Sequence, residues 1–160
     1  MTAFNEATSS VDQIINDYQE FMKKTREVLQ EKMAVLFKAF FDTHPNVKTI
    51  SWVQYTPYFN DGDECVFSVG DIYYHTVEWE DVEDKWGEGE GVIQARVWDD
   101  NARRYVNNPE LSEALANDMR QFSNILNSEA NEAVMLAMFE NHVWVRAHRD
   151  GFEIEEYSHD

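Results

Sequence analysis

Asn60-Asp61-Gly62-Asp63-Glu64 packs carboxylates and loop carbonyls into five consecutive residues. These are hard oxygen ligands of the kind a divalent cation takes. The spacing is not that of a calcium loop, which repeats D-x-D-x-D-G and places a Glu at position 12. Asn-Asp-Gly is also strong turn chemistry, so a polar hairpin turn explains the same residues without a metal. A metal-dependent nuclease would need a basic residue beside acids on adjoining strands. Asp61, Asp63, Glu78 and Glu80 offer the acids, but no lysine follows at a matching spacing. Asp61 and Asp63 stand as the alternative metal site, and no cofactor is expected.

Other reactive side chains are scattered. His44, His75, His142, His148 and His159 show no metal-ligand spacing such as H-E-x-x-H. Cys65 is the single cysteine, which excludes an internal disulfide and fits a reducing compartment. It lies in a β-rich run and reads as a small core residue rather than a nucleophile. The chain has no Gly-rich phosphate loop and no G-x-S-x-G. No catalytic residue is expected from this inventory.

Charge carries the stronger signal. The formal net charge is -18, and it is regional. Residues 61–100 hold 13 acids and 2 bases, and residues 150–160 hold 5 acids and no base. Such a field repels nucleic acid and acidic membranes and attracts basic protein surfaces. Solubility alone would account for acidity but not for its concentration. The segment Glu78 to Gly91 also holds Trp79 and Trp86, which a merely solvating loop does not need. They supply interface anchors, as Trp98 and Tyr105 would, or they close a core beneath the loop. No apolar run approaches the roughly 18 residues of a membrane span, and MTAFNEATSS lacks the features of a signal peptide. The expected location is cytoplasmic.

The elements that must position these residues follow from periodicity. Ser10 and Gln13 form a capping box ahead of an apolar series with steps of three and four. No Gly or Pro precedes Pro45, so the pattern predicts a helix over 10–44, about 50 Å long. A compact domain of this size is only about 40 Å across. The helix therefore lies across a sheet, bends, or projects, and a homodimer through it is one expectation. Residues 47–100 form a β-rich acidic region, with strands over 47–55, 65–69, 72–77 and 92–98. Asn108-Pro109-Glu110 predicts a helix over 109–139, with Asn127-Ser128 as a possible break. Residues 142–157 read as a hairpin, with Asp150-Gly151 as a type I′ turn and Arg146 opposite Glu155. The sum is one α+β domain over 1–160. It is an antiparallel sheet of about five to six strands, with the long N-terminal helix and a second helix packed on one face.

The string W-x-Q-Y-T-P-Y-F-N-D-G-D-x-C-x-F-S-V, Trp52 to Val69, resembles a recurring signature of small phage and bacterial proteins. It brings no activity with it. Size and acidity resemble phage-encoded anti-defence inhibitors, some of which mimic DNA. That resemblance implies a basic surface of a host or defence protein as partner, reached in the host cytoplasm. The leading expectation is a non-enzymatic acidic binding protein, with no direct nucleic-acid contact and no membrane. Its partner-binding residues would be Asp61, Asp63, Glu64, Glu78, Trp79, Glu80, Asp81, Glu83, Asp84, Trp86, Glu88 and Glu90. The alternatives are the divalent-metal protein or metal-dependent enzyme centred on Asp61 and Asp63, and a helical self-assembly module.

Overall fold

Helix α1 runs from Ala3 to Thr43, 41 residues without a break, in the computed structural model, which describes residues 2–87, 89 and 91–158. It begins eight residues earlier than the capping box suggests. Thr2 is the cap, its side-chain oxygen accepting from the Asn5 N–H at 3.3 Å. Ser10 lies inside the helix, and its hydroxyl donates to the Glu6 carbonyl at 3.0 Å. A serine can satisfy itself this way mid-helix, so its presence alone does not mark a start. The helix ends where expected. The His44 N–H donates to the Phe40 carbonyl, and Pro45 follows.

Only the last third of α1 enters the body. Met33, Phe37, Phe40 and Phe41 are buried, with Leu29 and Leu36 packed beside them. They cover one face of a six-stranded antiparallel sheet ordered β4-β3-β1-β7-β8, with β2 also on β1. The strands are β1 Thr49–Tyr55, β2 Ser68–Val69, β3 Tyr73–His75, β4 Val92–Ile93, β7 Val143–His148 and β8 Gly151–Glu156. Between them, β5 Arg96–Asp99 and β6 Arg104–Asn107 form a separate two-stranded sheet. The predicted strand over 92–98 is therefore two strands in different sheets, and β6 was not foreseen.

Helix α2 spans Glu113–Asn127, and α3 spans Glu132–Phe139 after a short 3-10 turn. The predicted helix over 109–139 breaks at Asn127-Ser128 and starts four residues late. Ser112 is its cap, accepting from the Leu115 N–H at 3.1 Å. Asn108 instead closes a local turn, its side-chain oxygen accepting from the Glu110 N–H.

All three helices lie on the face of the sheet presented by Ile50, Trp52 and Gln54. Trp52 packs on Phe37 and edge-on to Phe139. The Tyr74 hydroxyl donates to the Met119 carbonyl at 2.7 Å, and burial raises its pKa. Gln54 is fully buried and fully used. Its amide donates to the Met135 and Glu140 carbonyls, and its oxygen accepts from Trp52 Nε1.

The C-terminal hairpin pairs two residues out of the predicted register. Arg149 and Asp150 form the loop, and His148 lies opposite Gly151. Gly151 has φ 151°, a backbone conformation that L side chains rarely adopt, and its pairing with His148 places it in β8 rather than in a two-residue turn. A shift of two keeps every side chain on its predicted face. Arg146 thus lies opposite Glu153 but still reaches Glu155 diagonally, at 3.5 Å.

Candidate functional site

The other face of the sheet, bearing Ser51, Val53, Tyr55, His75, Trp144, Arg146 and His148, has no α-helix over it among the described residues, only the 3-10 turn Trp79–Asp81. It is covered by the acidic segment itself. Residues 76–87, here called the strap, cross this face. At one end Trp79 stacks on His148, ring centroids 5.3 Å apart. At the other, Trp86 meets Tyr157 edge-on at 5.4 Å. Val82 is buried between them against Val53, Trp144 and Tyr157. The two tryptophans therefore seat the strap on the sheet.

The basic residues here are consumed in holding the strap. Arg146 places its guanidinium 5.2 Å from the Trp79 ring centroid and 4.4 Å from that of Trp144. It also donates to the Trp79 carbonyl at 3.1 Å. Lys85 stands 5.4 Å over the Trp144 ring and donates to the Glu156 carbonyl at 3.3 Å. Cation–π contacts of this kind contribute about 0.5–2 kcal/mol each.

The carboxylates point outward. Glu78, Glu80, Asp81 and Glu83 are exposed on the strap. In β8, Glu153 and Glu155 lie opposite Arg146 and Trp144, so strand alternation turns them to the strap side, and both are exposed. Six carboxylates thus converge on one side of the sheet from segments about seventy residues apart in the chain.

The remaining predicted residues are placed differently. Asp84 is half-buried, and its carboxylate accepts from the Trp86 N–H at 2.8 Å. It shapes the strap rather than its surface. Glu88 and Glu90 lie outside the described residues. Asp61, Asp63 and Glu64 are exposed on a turn beyond the Tyr55 end of β1, whereas Glu78 to Asp81 lie beyond the Thr49 end. The seven residues of β1 set those groups about 20 Å apart. Asp61 at φ 44° and Gly62 at φ 95° make the turn type I′, closed by the Asp63 N–H on the Asn60 carbonyl at 2.8 Å. Among the described residues, no three His, Cys, Asp or Glu side chains are grouped to hold a metal ion.

One pair with chemical character escaped the sequence reading. Ser51 Oγ lies 2.9 Å from His75 Nε2 beneath the strap, beside a cavity of about 530 Å³ that His75, Asp81, Val82 and Asp84 help line. A hydroxyl, an imidazole and a carboxylate are the residue types of nucleophilic hydrolysis. Here the serine is fully buried and the histidine 1% exposed. Burial also lowers the imidazole pKa to about 4, against the opposing pull of Asp84. A weak base holding an inaccessible nucleophile is a structural hydrogen bond. The pairing of β1 with β3 creates it from residues 24 apart, so no local motif announces it.

A second cleft, of about 470 Å³, lies between the end of α1 and the tip of the β7–β8 hairpin. Its charges are mixed: Lys48, Glu78, Glu80 and Asp150 line it with Asp42 and Arg149. Asp42 accepts from Lys38 and from Arg149, which together hold its carboxyl below the usual range. On the small sheet, Trp98 and Tyr105 face each other across β5 and β6, both exposed, with ring centroids 5.3 Å apart.

No family model matches the chain, and neither a curated protein nor a solved structure does. Among the described residues, no helix is long and apolar enough to cross a membrane.

Proposed function

We propose that this protein is a non-enzymatic binding protein whose strap face occupies a basic, nucleic-acid-binding surface of another protein. The observation that supports this reading is the convergence of Glu78, Glu80, Asp81, Glu83, Glu153 and Glu155 on one side of the sheet. Lys85 and Arg146 are engaged with Trp144 and Trp79, and Arg146 also pairs with Glu155 at 3.5 Å, so neither stands free on that surface. A rigid sheet beneath a pinned strap presents negative charge without ordering a flexible chain on binding, as a mimic of a phosphate backbone must. The partner chemistry is a groove lined with Lys and Arg. Some of the phage anti-defence inhibitors that the composition resembles mimic DNA in this way.

The test is capture of nucleic-acid-binding proteins on the immobilised protein at low and high salt, with duplex DNA as competitor. Screening should release the partner as salt rises past physiological strength, and DNA should displace it. Exchanging Glu80, Glu83, Glu153 and Glu155 for Gln should abolish capture. Exchanging Asp61, Asp63 and Glu64 for their amides should leave it intact. Capture that ignores salt, or that survives the first variant, would refute the proposal.

A further inference from the structure

The outer part of α1 touches nothing. From Thr2 to Lys24 every residue is exposed, and the helix packs on the body only from about Leu29 onward. Residues 3–28 therefore project as an arm about 40 Å long. The arm is not polar all round. Phe4, Val11, Ile14, Tyr18, Phe21 and Val28 are 54–78% exposed, and Val35, 60% exposed, continues the row. Every step along that row is three, four or seven residues. This is the heptad seam of a two-stranded coiled coil. Ile15 and Met22, also exposed, flank it.

The exposed apolar side chains on the arm present on the order of 1,000 Å² per molecule. Monomeric proteins rarely leave a contiguous apolar patch above a few hundred Å² uncovered. A stable interface buries about 1,200–2,000 Å² in total. Two such arms therefore supply enough surface for one dimer.

Charge selects the occupant and its direction. Residues 3–20 carry four acids, Glu6, Asp12, Asp17 and Glu20, and no base. Residues 21–38 carry five bases and two acids. The helix is thus acidic in one half and basic in the other. Two copies side by side in the same direction would set acid against acid. Two copies in opposite directions set each acidic half against a basic one. We infer that two copies of this chain pair through α1 as an antiparallel coiled coil.

The register that uses the whole seam places Tyr18 of each copy against Phe21 of the other. Val11 then meets Val28, and Phe4 meets Val35. Lys24 of each copy flanks Asp17 of the other. The exposure of Val35, within a stretch whose other apolar residues turn to the core, fits this register. The inference is independent of the strap face, which lies on the far side of the sheet from the helices.

Sedimentation velocity on the full chain tests the pairing. The parent should be a dimer at micromolar concentration. Tyr18→Glu with Phe21→Glu should be a monomer that melts at the body's ordinary temperature when followed by near-ultraviolet signals, because neither side chain reaches the core. Direction is read from cross-linking in a Cys65→Ser background. Ala7→Cys in one chain should oxidise onto Lys32→Cys in another, and Ala7→Cys alone should form no disulfide. A monomeric parent would overturn the inference, as would a dimer that survives the Glu variants. Self-cross-linking of Ala7→Cys would show parallel arms and overturn it equally.

Discussion

Acid should weaken this fold through His75. The imidazole is 1% exposed and its pKa is lowered by burial from 6.5 to about 4. Between those values the unfolded chain binds a proton at this position and the folded chain does not. Stability must then fall as the pH drops from about 6.5 toward 4, with the full contribution present above about pH 7. Between pH 7.5 and 4.5 the linkage amounts to a loss of roughly 2–3 kcal/mol, at about 1.4 kcal/mol per pKa unit. That is a large fraction of the ~5–15 kcal/mol that holds a domain of this size together. Urea unfolding at a series of pH values measures it, with His75→Gln run beside the parent. Glutamine can keep a hydrogen bond to Ser51 without a titrating charge. The 31 carboxyl groups titrate in both chains, so the difference between the two profiles isolates the histidine. The parent should lose roughly 2–3 kcal/mol more than the variant across this range. Parallel profiles would refute the reasoning. So would an imidazole proton resonance for His75 that titrates near pH 6.5, since a buried neutral ring cannot do so.

Two substitutions test how the faces of the sheet are closed. Gly87→Ala should destabilise by about 2–4 kcal/mol in thermal or urea unfolding. Gly87 has φ 71°, and a Cβ there would lie 2.0 Å from Tyr73 Cγ. An unchanged melting temperature would mean that the strap is not seated on Tyr73. Gln54→Leu should cost about 1–3 kcal/mol, because it removes the bonds to the Met135 and Glu140 carbonyls and leaves Trp52 Nε1 without its acceptor in the core. No measurable loss would show that water replaces the amide.

The sequence was most legible where one physical signal acted alone. The apolar spacing of Met33, Leu36, Phe37 and Phe40 and the stop at Pro45 predict a helix here and its end correctly. Alternation in 143–148 and 152–156 predicts the hairpin and its two faces, because a strand's period survives even a register error. Exact ends were harder. Thr2, Ser10, Asn108 and Ser112 are all good caps by type, and only the surrounding packing decides which is used. The β5–β6 hairpin was missed because it turns through Asp100-Asn101-Ala102-Arg103, with Arg103 at φ 49° and no glycine to advertise the turn. The acidic composition of 78–91 was legible, but its role as a cover was not. That role depends on His148 and Tyr157, which meet Trp79 and Trp86 only when the sheet is assembled.

Helix α1 passes from solvent into the core without a glycine, a proline or a break. The tip and the body are consequently one mechanical piece. A soft joint would let the sheet tumble independently of whatever grips the tip, whereas a continuous hydrogen-bonded rod transmits both bending and torque. A rotation imposed at Tyr18 is delivered, less a small elastic loss, to Phe37 and through it to Trp52 at the centre of the sheet. Anything that holds the tip also holds the acidic face at a set distance and bearing, as a bracket holds a sign.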